Sequence, residues 1–186
     1  DEGELVRRAG GRGWLVGDEG SAVWLGVEGV RAALLALDGR GAATVLRQLV
    51  PKALGVESAA DVATAITDAV YSGAPAELGR LAPLVVEAAE RGDAVASSLI
   101  EAAADQLVGT AEAAAADEDP AVVVLAGSLL IRVPAVGGLV RERLASRWPT
   151  AVMAEVASAE AGATALAIAG HTGTPVSAAV LDALRS

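Results

Sequence analysis

In the stretch "GGRGWLVGDEGSAVWLG" (Gly10–Gly26), five glycines from Gly10 to Gly20 and two carboxylates stand directly before a helical pattern. Before it, residues 4–9 alternate polar and apolar side chains, which predicts a short strand entering a glycine loop. After it, apolar residues recur at helical spacing until "DGRG" stops the pattern at Asp38, which predicts an amphipathic helix. The apolar positions are Val23, Trp24, Val27, Val30, Ala33, Leu34 and Leu37.

The carboxylates of this stretch, Asp18 and Glu19, have two interpretations. They can begin the helix, since carboxylates favour a helix N-terminus. They can also orient a small polar ligand, which explains the number of glycines better than a cap does. The residues alone leave this open.

The aromatic and glycine spacings of the stretch add weaker signals. Trp14 and Trp24 are both candidates to pack against a sugar ring; the helical position of Trp24 favours the core, and Trp14 stays open. Gly11 and Gly13 begin a Gly-x-Gly pattern, but the third glycine, Gly17, is one residue out of register for dinucleotide binding.

The middle of the chain is predicted to be helical. Apolar periodicity predicts helices at about 42–54, 59–72, 76–91 and 94–116. The third helix in chain order is expected to begin with a capping box, because Ser58 precedes Asp61 by three residues.

The pattern changes after Pro120. Residues 121–127, "AVVVLAG", predict a buried parallel strand, followed by a helix at about 135–147, a strand at 150–154, a helix from Glu160 and a final helix from Pro175 to Leu184. Gly127 and Ser128 follow the first of these strands, where α/β proteins bind ligands, although a tight turn explains Gly127 equally well.

Composition limits the function classes. The 186 residues carry a formal net charge of −10 with Lys52 as the only lysine, so nucleic acid and anionic membrane surfaces are not expected partners. The absence of cysteine excludes disulfides and cysteine-bound iron–sulfur clusters, and makes the cytoplasm the expected location. His171, the only histidine, lies in "GHTGTP", which predicts a solvated loop rather than a catalytic or zinc site.

No membrane-spanning or signal segment is visible in the sequence. The longest uncharged apolar run, Ala121–Ile131, is shorter than the roughly 20 residues that span a bilayer. The chain begins at Asp1 rather than methionine, which is expected of a fragment.

Four segments in this order resemble the N-acetylglucosamine kinase branch of the BadF/BadG/BcrA/BcrD-type ATPases: "GGRGWLVGDEGSAVWLG", "LAPLVVEAAERGDAVASSLIEAAADQL", "VVVLAGSLL" and "AEAGATALA". The resemblance implies an α/β fold, namely the C-terminal lobe of an actin-like (ribonuclease H-like) ATPase with a large helical part. The whole chain, 1–186, is then one lobe. Residues 1–22 form the strand and sugar loop, 23–119 the helical region and 120–186 the β-α-β-α region on the nucleotide side.

On the sugar side, the resemblance implies that Asp18 binds hydroxyls of an amino sugar, while Gly11, Gly13 and Glu19 shape the pocket. Arg12 stands where the family often has tryptophan, so it is expected to affect which sugar is bound.

On the nucleotide side, the resemblance implies that Gly127 and Ser128 lie beside the adenosine of ATP and that the loop around Gly79 helps to cover it. Mg²⁺ is the implied metal. The family's phosphate loops and catalytic aspartate lie upstream of the glycine loop, so the chain alone is not expected to be a competent kinase.

The resemblance therefore predicts an ATP-dependent kinase acting on the 6-hydroxyl of N-acetylglucosamine or glucosamine, with an upstream N-terminal lobe and a homodimer as partners. A non-catalytic sensor or interaction module of the same fold is the alternative.

Overall fold

A computed structural model describes residues 7–116, 118–156 and 159–173 of the chain. The α-helices are α1 (Ala22–Leu37), α2 (Leu46–Leu54), α3 (Val62–Ser72), α4 (Ala82–Glu90), α5 (Ala94–Ala115), α6 (Ser128–Arg132), α7 (Pro134–Arg147) and α8 (Ala159–Thr172). A 3₁₀ helix covers Pro75–Leu81, and the strands are β1 (Val122–Ala126) and β2 (Val152–Val156). This helix-rich α/β arrangement confirms the predicted fold class.

Strands β1 and β2 form a parallel sheet, in register from Val122 opposite Val152 to Ala126 opposite Val156. Because α6 and α7 connect them and α8 follows, the predicted β-α-β-α order is confirmed. The prediction of a buried strand is wrong for half of β1. Leu125 lies in the core, but Val122 and Val124 are more than half exposed, because their side chains alternate onto the opposite face of the sheet.

Helix α1 packs closely against the segment from the 3₁₀ helix to α4. A Cβ atom on Gly26 would lie 2.0 Å from the Leu78 carbonyl oxygen, and one on Gly29 would lie 2.7 Å from Cγ2 of Val85. The two glycines of α1 therefore allow backbone contact that any side chain would prevent.

Helix α5 lies between these helices and α7. Its buried face consists of small residues and one isoleucine: Ala96, Ile100, Ala103 and Ala104. On the side of α7, Arg143 forms ion pairs with Glu101 and Asp105 of α5, and Arg147 pairs with Glu112 at 3.3 Å. These ion pairs are exposed to solvent, so each contributes little to the stability of the fold.

Several predicted boundaries are wrong for identifiable reasons. The helix predicted at 42–54 begins at Leu46, because the Val45 N–H donates to the Asp93 carboxylate at 2.6 Å instead of entering a helix. The helix predicted at 59–72 begins at Val62, and its cap is Asp61 rather than Ser58; the Asp61 carboxylate accepts from the Thr64 N–H at 3.0 Å.

The helix predicted at 76–91 is divided into the 3₁₀ helix and α4. Pro83 lacks the N–H that a continuous α-helix would direct to the Gly79 carbonyl, and the Ala82 N–H bonds to that carbonyl in a 3₁₀ turn instead. The helix at 94–116 is confirmed as α5.

At the two ends, residues 7–9 are not in a strand, and the rest of the predicted strand 4–9 lies outside the described residues. The predicted helix Pro175–Leu184 also lies outside them. His171 is exposed as predicted, but it lies in the last turn of α8 rather than in a loop.

Asp93 joins two helix N-termini. Its carboxylate accepts from the Ala96 N–H at 2.9 Å, which caps α5, and from the Val45 N–H before α2. Burial disfavours the charged form, but hydrogen bonds from Ala96, Val45 and the Thr44 hydroxyl outweigh it, so the pKa of Asp93 lies below its ordinary value of 3.8. Asp93 therefore stabilises the fold in its ionised form.

We expect Asp93→Asn to lower the free energy of unfolding by about 1–2 kcal/mol at pH 7. A group with a lowered folded-state pKa contributes fully above its unfolded-state pKa and loses the contribution as pH falls through the folded value. The difference from wild type should therefore shrink between pH 5 and pH 3 in denaturant unfolding. Asp68→Asn, an exposed change on α3, is the control; an undiminished difference at pH 3 would contradict the assignment.

Candidate functional site

Residues 10–20, here called the glycine loop, are anchored on α5. A Cβ on Gly20 would lie 2.6 Å from the Ala103 carbonyl oxygen, and one on Gly10 would lie 2.9 Å from Cγ2 of Thr110. Gly20 is buried, and its φ of +75° is one that side chains rarely adopt. The first and last glycines of the loop therefore fix both of its ends to one helix.

Asp18 closes the loop on itself. Its Oδ1 atom accepts from the Gly13 N–H at 3.1 Å, and its carbonyl accepts from the Ser21 N–H at 2.9 Å. Asp18 has a φ of +57°, which is uncommon for a residue with a side chain and is found disproportionately at functional sites. Its other carboxylate oxygen, Oδ2, has no hydrogen-bond partner within the described part of the chain.

The interpretation of Asp18 and Glu19 as caps of α1 is wrong. The cap is Ser21, whose hydroxyl oxygen accepts from the Trp24 N–H at 3.1 Å, and the first turn of α1 contains no acidic residue. Glu19 is exposed before that turn. The two carboxylates are therefore left for a role other than starting the helix.

Gly11, Arg12 and Gly13 lie at the open side of the loop, and all three are exposed. A Cβ on Gly13, where φ is +90°, would meet nothing within 4 Å. Arg12 forms no hydrogen bond or ion pair with the described residues. Arg8, which the sequence analysis did not select, supports this side by donating from Nη2 to the Gly11 carbonyl at 2.7 Å.

Gly79 lies beside α1, the helix that follows the glycine loop. It belongs to the 3₁₀ helix rather than to a loop, and its Cβ position would lie 3.4 Å from Cγ2 of Val23 in the first turn of α1. The interpretation of this segment as a loop is therefore wrong.

Gly127 and Ser128 follow β1 and begin α6 at the carboxyl end of the sheet. Gly127 has a φ of +103° and no atom within 4 Å of its Cβ position, and both residues are exposed. In the described structure, no hydrogen bond or ion pair joins them to the glycine loop; the two regions are connected through α5, which contacts α1 and α7.

Comparison with known proteins identifies the family. The model of the BadF/BadG/BcrA/BcrD ATPase family matches residues 1–167. The chain belongs to this family. A solved structure from Chromobacterium violaceum, described as a "Putative N-acetylglucosamine Kinase", matches with a TM-score of 0.62 and 31% identity over 80% of this chain. The match covers 47% of that protein, so this chain spans about half its length. No curated protein sequence matches significantly.

Family membership explains the architecture. BadF/BadG/BcrA/BcrD proteins are ATPases, so ATP binding is implied, and the structural neighbour points to a sugar-kinase type of actin-like ATPase fold. The resemblance inferred from the four sequence segments is therefore confirmed.

The exposed backbone at Gly127 and Ser128 is compatible with a nucleotide, since Gly127 leaves the space that a Cβ would fill. The described residues contain no group of three or more histidine, cysteine, aspartate and glutamate side chains that could hold a metal ion. None of the helices in the described ranges is long and apolar enough to cross a membrane.

Another cleft of the described structure lies elsewhere, between α5 and α7. It has a volume of about 610 Å³, and Glu112, Arg143 and Arg147 are among its lining residues. These arginines are already paired with carboxylates, and the cleft contains none of the residues selected from the sequence. We therefore assign the candidate site to the glycine loop, not to this cleft.

Gly20→Ala tests the anchoring of the loop. We expect it to destabilise the protein by at least 1 kcal/mol more than Gly39→Ala, because both glycines have positive φ but only Gly20 lies against another helix. Gly39 has nothing within 4 Å of its Cβ position, so its variant reports the backbone cost alone. Equal shifts in the thermal unfolding midpoint would show that the contact with α5 contributes nothing.

Proposed function

We propose that this chain is the C-terminal lobe of an ATP-dependent amino-sugar kinase that phosphorylates the 6-hydroxyl of N-acetylglucosamine or glucosamine. The observation that carries the proposal is the Asp18 carboxylate, held by the Gly13 N–H beside an open, glycine-lined surface. Membership of the ATPase family and the similarity to the Chromobacterium violaceum protein support it.

In this proposal the sugar lies against the glycine loop. The free Oδ2 of Asp18 accepts hydrogen bonds from sugar hydroxyls, while Oδ1 holds the loop. Gly11 and Gly13 let the ring approach the backbone, and Glu19 borders the pocket. The guanidinium of Arg12, which pairs with none of the described residues, contacts a substituent of the sugar.

The nucleotide lies at the other end of the lobe. ATP supplies the phosphoryl group, and Gly127 and Ser128 border its adenosine. The segment around Gly79, which is the 3₁₀ helix, helps to cover the nucleotide. Mg²⁺ belongs to the proposal for the whole protein, where it would offset the charge of the phosphates.

An upstream lobe completes the proposed enzyme and supplies the catalytic base. The exposed face of the sheet supports this, because parallel sheets are normally covered on both faces and extend beyond two strands. Val122, Val124 and Val152 are the apolar side chains that such a lobe would cover. We therefore propose that this chain alone does not catalyse the transfer. On the family resemblance, we also propose that the whole protein forms a homodimer. The absence of cysteine favours a cytoplasmic location.

The first experiment measures ADP release by the full-length protein with Mg-ATP and a panel of amino and neutral hexoses. Release that depends on an amino sugar supports the proposal. Nucleotide binding without sugar-dependent release would favour a non-catalytic sensor of the same fold.

In the same assay, we expect Asp18→Asn to reduce kcat/KM for the amino sugar by about 100-fold, because an amide replaces a charged acceptor of the sugar hydroxyls. Asp68→Asn, which also removes one exposed carboxylate but lies on α3, should leave kcat/KM unchanged. Circular dichroism and thermal unfolding check that both variants are folded. An unchanged kcat/KM in a folded Asp18→Asn variant would remove Asp18 from the site.

A further inference from the structure

The turn at residues 14–16 exposes three consecutive large apolar side chains. Trp14 is 50% exposed, and Leu15 and Val16 are each 74% exposed. Elsewhere in the described ranges, exposed large apolar residues do not occur consecutively. A contiguous apolar surface of this kind usually marks a binding site.

The turn is held in place rather than free. A Cβ on Gly17 would lie 2.7 Å from Cβ of Arg12, so the two sides of the turn are in contact at its base. The Gly13–Asp18 hydrogen bond closes it one residue further along. Trp14 directly follows Gly13, whose N–H bonds to Asp18, so the backbone that carries the indole is joined to the Asp18 carboxylate.

The three tryptophans occupy different environments. Trp148 is buried, and Trp24 packs partly buried against the core. Trp14 keeps half of its surface accessible while the remainder is covered by protein. It is therefore the tryptophan of the described structure that has surface available to a ligand.

A pyranose ring matches this pair of groups. Its hydroxyls require acceptors such as a carboxylate, and the C–H groups on its faces pack on an aromatic surface. Resting on the function proposed above, we infer that Trp14 is a further sugar-contacting residue, whose indole packs against the ring of the amino sugar bound by Asp18. Leu15 and Val16 are more exposed and do not take part in this contact.

The test compares variants of the turn at residues 14–16 in the full-length protein. We expect Trp14→Ala to raise KM for the amino sugar about tenfold, because one aromatic packing surface is lost, and to leave kcat and KM for ATP nearly unchanged. Trp14→Phe should restore most of the affinity. Leu15→Ala and Val16→Ala are matched controls from the same turn and should change KM by less than about twofold.

Fluorescence gives a second readout that does not depend on turnover. Addition of the amino sugar should change the tryptophan emission of the wild type, and this change should be absent in folded Trp14→Phe. Circular dichroism checks that Trp14→Ala and Trp14→Phe are folded.

The outcomes separate this inference from the proposed function. If wild type releases ADP with the sugar but Trp14→Ala keeps its KM, the inference is overturned and the kinase stands. Equal increases in KM for all three alanine variants would also overturn it, since they would indicate a general disturbance of the turn rather than contact between the indole and the sugar. If no sugar stimulates ADP release by the wild type, both proposals fail.

Discussion

The close packing of α5 is the constraint on which the rest of the described structure depends. Its buried alanines let α1 and α4 approach on one side and α7 on the other, and the glycine loop is fixed to the same helix at Ala103 and Thr110. A helix with larger side chains on this face would separate the neighbours by ångströms, because cores do not absorb added volume without strain. The position of the candidate sugar site is therefore determined by a helix that contributes no ligand-binding residue.

The glycines of the loop divide into two physical roles that the sequence does not distinguish. Gly10 and Gly20 are required because a neighbouring helix occupies the space of a Cβ, whereas Gly13 faces open space. The sequence contains more glycine than a helix cap needs, and a bound ligand is one explanation of that excess. Part of that excess fixes the loop, and this fixing is what lets the remaining exposed backbone serve as a preformed surface.

Local patterns predicted those elements whose boundaries depend on nearby residues. Helices α1 and α5 follow from periodicity and local stop signals, and the β-α-β-α order follows from the change of pattern after Pro120. The start of α2 was missed because it depends on Asp93, which is 48 residues away from Val45 in the chain. The exposed face of β1 was missed because an apolar run gives the composition of a strand but not what covers each face. The arrangement of the site residues does not follow from local patterns, since the glycine loop is positioned by contacts with α5, which is distant in the chain.

Family membership and substrate choice rest on different residues. The fold follows from small buried residues along α1, α5 and the first turn of α7, and these say nothing about which sugar is bound. Under the proposed function, the groups able to discriminate between sugars lie at the open side of the glycine loop: a half-exposed tryptophan, and an arginine and a carboxylate oxygen that have no partner among the described residues. Because Arg12 and Trp14 flank Gly13, whose N–H bonds to Asp18, the hydrogen bond that closes the loop also brings a charge and an aromatic surface next to the carboxylate. Under the proposed function, specificity is a property of a short turn, whose side chains can change without disturbing the helices that hold it.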